Sequence, residues 1–161
     1  IPPLLDAADL VDADGYALRD PHAVLRTRRA AVTTIPVLDV SNLERSVAFY
    51  RDILGYREAG GAAGQTCLLQ RDDADVVLRQ ETSPPERRGQ GVSIFHMCHD
   101  AIAYYREVTA RGGSMAEPRV GNRLWETDLR DPDGWHLAYE SPTDVDEETR
   151  LSELAAKGAA S

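Results

Sequence analysis

The groups in this sequence best suited to acid–base or metal chemistry are a few histidines and carboxylates, and their spacing limits both uses. His136 and Glu140 fall on one side of an apolar–polar run, with Ala138 between them. On an extended strand they stand roughly 13 Å apart, too far for one metal ion to bridge. His136 suits a general base instead, with Glu140 or Arg79 orienting a substrate. His96 and His99 are three apart in another apolar run, so they point to opposite faces. His96 reads as a core or helix-facing residue, and His22 lies in a separate N-terminal stretch. Cys67 and Cys98 have no Cys-x-x-Cys spacing, which suggests reduced thiols in a cytoplasmic protein. Asp131-Pro132-Asp133-Gly134 reads as a hairpin turn without chemistry.

Charge narrows the partners. The formal net charge of −9 argues against nucleic acid and anionic membrane surfaces, and would attract a cationic small molecule. Hydrophobic residues make up 42% and charged residues 28%, the balance of a soluble domain with a modest core. No apolar run approaches the ~20 residues that span a bilayer. No basic segment followed by an apolar stretch opens the sequence, so no secretory signal is expected.

The elements that would position these groups recur. Residues 33–40 are β-branched and apolar, a strand with Pro36 near its start. Ser41-Asn42 can cap the helix that follows, with Glu44 at capping-box spacing from Ser41, and Gly55 stops it. A Gly/Ala turn over 60–64 leads to strands over 65–70 and 76–81. After a polar linker over 82–91, a strand over 92–99 precedes a helix from Asp100 to Ala110. A short strand over 114–117 follows, then strands over 124–130 and 135–140 around the Asp-Pro-Asp-Gly turn. A last helix is expected over 144–157, with Asp144 and Glu147 at capping-box spacing.

One interval separates Arg71 from Arg130 and Glu81 from Glu140, and Tyr50-Arg51-Asp52-Ile53 echoes Tyr105-Arg106-Glu107-Val108. The pattern predicts an α+β fold of tandem βαβββ modules, over about 32–81 and 92–142, forming a curved mixed sheet around a cleft. An N-terminal extension over 1–31, with the basic cluster Arg26, Arg28 and Arg29, and a C-terminal helix and tail over 143–161 flank that domain. By strand parity the cleft is lined by Ile35, Val37, Ser93, Phe95, Met97, His136, Ala138 and Glu140. Arg79 joins them if its strand has the parity of its repeat partner. Parity leaves open whether Trp125 or its neighbours Glu126 and Asp128 face inward. Such a lining suits a small molecule, stacked on Trp125 or Phe95 or drawn as a cation to Glu126, Asp128 or Glu140.

These motifs resemble a known family. Ile35-Pro36-Val37-Leu38-Asp39-Val40, Leu43-Glu44-Arg45-Ser46-Val47-Ala48-Phe49-Tyr50 and Leu54-Gly55-Tyr56 are similar to the first module of the vicinal-oxygen-chelate superfamily. Leu129-Arg130-Asp131-Pro132-Asp133-Gly134 resembles its second-module hairpin. The superfamily includes glyoxalase I, bleomycin-resistance proteins, fosfomycin-resistance enzymes and extradiol dioxygenases. The resemblance implies inward metal-ligand positions, which fall here on Ile35, Ser93, Ala138, and Leu78 or Arg79. None of these is a competent ligand, so no metal and no other cofactor is expected. The metal-free bleomycin-resistance branch fits best, which implies a homodimer that sequesters an aromatic or cationic natural product, as in antibiotic resistance. Where that branch carries Pro-Trp-Gly, this chain has Val120-Gly121-Asn122-Arg123-Leu124-Trp125, and bleomycin itself is not implied. The alternative is an enzyme of the glyoxalase, lyase, isomerase or dioxygenase type, with an unusual metal site or a metal-free acid–base site at His136 and Glu140.

Overall fold

A computed structural model of the chain describes residues 34–82 and 92–154. The chain divides into two compact units, Ile1–Thr34 and Ile35–Ser161, and every element below belongs to the second. The expected extension with its basic cluster, and residues 83–91 and 155–161, lie outside the described residues.

The duplication expected from the repeats is present. The first module runs β1 (Val37–Val40), α1 (Leu43–Ala48), β2 (Arg57–Gly60), β3 (Thr66–Arg71) and β4 (Ala74–Gln80). The second runs β5 (Ser93–Met97), α2 (Ala101–Ala110), β6 (Arg119–Gly121), β7 (Leu124–Arg130) and β8 (His136–Pro142). The sheets have orders β1-β4-β3-β2 and β5-β8-β7-β6. In each, the first strand pairs parallel with the last and the other pairs are antiparallel. The fold is α+β, with two mixed four-stranded sheets.

Each sheet buries one face. Leu38 and Val40 on β1, Cys67 and Leu69 on β3, and Val76 and Leu78 on β4 enter the main core. Leu129, Leu137 and Tyr139 enter it from the second sheet. Helix α1 packs on β3 and β4, and α2 on β7 and β8. Aromatic rings pack within each module: Tyr104 stacks on Tyr139 at 4.1 Å, His96 stacks on Tyr139 at 4.5 Å, and Tyr50 meets Tyr56 edge-on at 5.6 Å. Hydrogen bonds link the modules, Tyr56 Oη to His96 Nε2 at 3.4 Å and the Tyr104 hydroxyl to the Leu54 carbonyl at 3.3 Å. Burial pushes the His96 imidazole below its usual pKa, opposed by a hydrogen bond with the Ala138 carbonyl. His96 is half-buried against Tyr139, and burial disfavours its charged form.

Several local expectations change. Asn42 is the N-cap of α1, accepting from Arg45 N at 2.9 Å, while the Ser41 hydroxyl instead binds Asp133 across the molecule. The end of α1 widens into a π-turn over Phe49–Ile53. Strand β1 starts at Val37 rather than residue 33. Strand β2 lies partly where a turn was expected, because its residues are all exposed and carry no apolar alternation. The third element of the second module is β6, not a strand over 114–117. Residues 144–149 are not helical, and a helical turn begins only at 151. Asp144 and Glu147 do not form a capping box. Both hold Arg123, through its guanidinium at 3.1 Å and its backbone N–H at 2.8 Å.

Gly55, which ends the first helical segment, has φ +76°. A Cβ there would come within 2.5 Å of Arg111 Nη1 and 2.7 Å of Arg71 Nη1. Those arginines converge on Glu107, each at 2.8 Å, and Arg71 also donates to the Leu54 carbonyl. Gly55→Ala is expected to cost about 1–2 kcal/mol, read as a lower denaturant midpoint with unchanged slope.

Candidate functional site

The helices cover one face of each sheet and leave the other open. On that open face Phe95 is 63% exposed, Met97 64%, Val37 49% and Ile35 41%. Isolated exposed apolar residues are ordinary, but alternation turns Val37 on β1 and Phe95 and Met97 on β5 away from the cores, and Ile35 lies two residues before β1. Cross-strand register gives their neighbours: Phe95 is opposite Ala138, Met97 opposite Glu140, and Ser93 opposite His136. Ala138, expected to line the cleft, is instead buried, its small methyl covered by its neighbours.

Parity on β7 and β4 is decided. Trp125 is 6% exposed and packs with Ala101 and Val120 in a second core cluster on the helix side. Its proposed ligand-stacking role is therefore corrected: Glu126 and Asp128 face the open side instead. Indole is the larger apolar group, and burying it beneath α2 outweighs exposing it. On β4, Leu78 is fully buried and Arg79 faces the open side, paired with Asp39 at 2.6 and 3.0 Å. Asp39, which sequence reasoning passed over, is opposite Arg79 in the register. The Arg79 hydrogen bond lowers the Asp39 pKa against a smaller rise from desolvation.

Two further features converge near the apolar strip. Glu126 and Glu140 are directly opposite across β7 and β8, an unfavourable pairing of like charges. Desolvation, then the Glu126 charge, pushes the Glu140 carboxyl above its usual pKa. Glu126 reclines over Gly121, where a Cβ would come 2.7 Å from Glu126 Oε1. Beside them, His136 Nδ1 is 2.8 Å from Ser93 Oγ and its Nε2 is 2.6 Å from Asp128 Oδ2. Central strand β8 carries the histidine, with β5 and β7 supplying its partners from either side. Sequence parity placed Ser93 and His136 on one face, left Asp128 open, and gave no sign of their mutual contact, which depends on strand order.

The positions that the resemblance assigns to metal ligands carry Ile35, Ser93, Ala138 and, since Leu78 is buried on the other face, Arg79. A hydrocarbon, a guanidinium, a hydroxyl and a methyl do not make a donor set for a divalent transition ion. Among the described residues, no three His, Cys, Asp or Glu side chains gather in a way that could hold one. The residues present do not fit the family's metal.

Paired βαβββ modules, each with one helix-free sheet face, define the class of fold. The Glyoxalase/Bleomycin resistance protein/Dioxygenase superfamily model matches residues 32–139. The chain belongs to that superfamily. A comparison with curated proteins found no match. Among solved structures, the chain is similar to TioX from Micromonospora sp. ML1, with 15% identity over 71% of this chain and 99% of that one and a TM-score of 0.55. It is also similar to lactoylglutathione lyase from Agrobacterium tumefaciens, with 17% identity over 70% and 96% and a TM-score of 0.53. An integron cassette protein of Vibrio cholerae aligns at 19% identity over 71% and 97%, with a TM-score of 0.54. At such identities these likenesses show the fold. No helix among the described residues is long and apolar enough to cross a membrane.

Proposed function

We propose that the open face of the paired sheets binds a small aromatic or cationic organic molecule without a metal and holds it stoichiometrically, in the manner of an antibiotic-sequestering protein. The observation that carries this reading is the exposed Phe95–Met97 strip bordered by the Glu126/Glu140 pair. A planar ligand can cover the strip, and a cation relieves the repulsion between the two carboxylates. The unsuitable donor set supports the metal-free part. A homodimer completes the proposal: a sheet from a second copy would enclose the ligand and cover apolar surface that one chain leaves open. Free cysteines Cys67 and Cys98 are in keeping with a cytoplasmic setting.

Calorimetric titration with a planar aromatic cation and its neutral isostere tests the reading. The cation is expected to bind at least ~10-fold more tightly, a difference of about 1.4 kcal/mol. Phe95→Ala weakens both ligands, and Glu140→Gln weakens only the cation. Because Glu140 is ionised only above its raised pKa, cation affinity falls as pH drops through that value, at higher pH than an ordinary carboxylate would give. Equal binding of both ligands, or wild-type affinity in Phe95→Ala, overturns the proposal. Light scattering checks the dimer.

A further inference from the structure

We propose that Ser93, His136 and Asp128 form a nucleophilic centre that transfers the acyl group of small apolar esters, an activity beyond ligand sequestration. The three side chains form one hydrogen-bonded chain: Ser93 Oγ to His136 Nδ1 at 2.8 Å, and His136 Nε2 to Asp128 Oδ2 at 2.6 Å. A carboxylate only accepts, so Asp128 holds the proton on Nε2 and leaves the lone pair of Nδ1 directed at the serine hydroxyl. A histidine oriented by a carboxylate and bonded to a serine hydroxyl is the arrangement that activates serine as a nucleophile, whatever the fold that carries it.

Placement makes the centre accessible. Ser93 is exposed and His136 and Asp128 keep part of their surface open, so an ester can reach the hydroxyl. Phe95, two residues along β5 on the same face, gives an apolar acyl group a surface to lie on. Arg130 is opposite His136 across β7 and β8, with its Nη1 donating to the Gly134 carbonyl at 2.9 Å.

In the first half-reaction the Ser93 Oγ–carbonyl carbon bond forms as the hydroxyl proton passes to His136 Nδ1. The resulting oxyanion collapses, the carbon–alkoxide bond breaks, and the alcohol leaves with the proton from Nδ1. In the second half-reaction a water molecule gives a proton to Nδ1 and attacks the acyl carbon. The tetrahedral intermediate collapses, the Ser93 Oγ–acyl carbon bond breaks, the acid is released, and Ser93 Oγ takes the proton back from Nδ1. Ser93 and His136 are the catalytic residues, and Asp128 is a positioning residue.

Intact-mass and peptide-mapping analysis of the full chain treated with an alkyl fluorophosphonate tests the proposal, alongside hydrolysis of p-nitrophenyl butyrate. One phosphonyl group per chain is expected on Ser93, and none in Ser93→Ala. His136→Ala is expected to slow labelling and hydrolysis about 100-fold or more. Asp128→Asn slows both, and Asp128→Glu restores part of the rate, which a merely structural carboxylate would not do; melting curves confirm that the variants are folded. No adduct on Ser93, or an adduct whose rate is unchanged in His136→Ala, overturns the proposal. The probe carries no cation and needs no sequestered ligand, so failure of the binding reading and failure of this one are distinguishable.

Discussion

Trp125→Ala is expected to destabilise the protein by about 3–4 kcal/mol, the cost of emptying an indole-sized site in a core. Trp125 is 6% exposed and packs with Ala101 and Val120, and the partly buried Val145 and Leu154 pack against the same cluster. Losing it unpins β7 from the start of α2 and from the segment after β8. The milder Trp125→Phe keeps an aromatic ring in place and is expected to bind open-face ligands as the wild type does. Chemical denaturation gives the first quantity and titration of Trp125→Phe the second. A large affinity loss in folded Trp125→Phe would contradict the assignment of Trp125 to the helix side.

Asp133→Ala is expected to cost about 2–3 kcal/mol, because this carboxylate ties the hairpin of the second module to α1 of the first. Its oxygens accept from Ser41 N at 2.9 Å, Ser41 Oγ at 2.6 Å, Ser46 Oγ at 3.0 Å and Arg45 Nη2 at 3.1 Å. Its side chain is almost wholly buried, while Arg45 is half exposed, so the hydroxyl and backbone donors carry more of the effect than the ion pair. Desolvation raises the Asp133 pKa, but the bonds from Ser41, Ser46 and Arg45 outweigh it and leave the value lowered. The ionised group therefore contributes stability above its unfolded pKa of 3.8, and that contribution is lost as pH falls through the lower folded value.

Neighbouring Asp131 has the opposite sign. Burial raises its pKa despite bonds from Trp135 N, Asp133 N and the Tyr50 hydroxyl. Its contribution is present below 3.8 and lost as pH rises through the folded value. Asp133→Asn is expected to flatten the loss of stability in acid, measured as melting temperature below pH 4. Equal acid sensitivity in wild type and Asp133→Asn would remove Asp133 from that role.

The hairpin shows how far local sequence reached. Asp, Pro and Gly announced a tight turn, and Gly134 takes φ +88° there. Nothing in four residues announces that Asp133 will meet Ser41 and Ser46, because those contacts depend on how two modules pack. The same limit applied to β2, whose exposed Arg57, Glu58, Ala59 and Gly60 have no alternation and are strand only because β3 pairs with them.

By itself the sequence determined the repeated order of elements apart from β2 and β6, through apolar alternation and helix stops, and which residues of β1 and β5 turn away from the core. Period 2 is a local property, legible wherever one face is buried. Tertiary structure alone decided that Trp125 is buried while Glu126 and Asp128 are open, since both faces of β7 carry plausible residues and only α2 chooses between them. It also decided that Ser93, His136 and Asp128 touch. Their strands lie side by side in the order β5-β8-β7, and that adjacency comes from the parallel return of β8 beside β5, which no stretch of sequence contains.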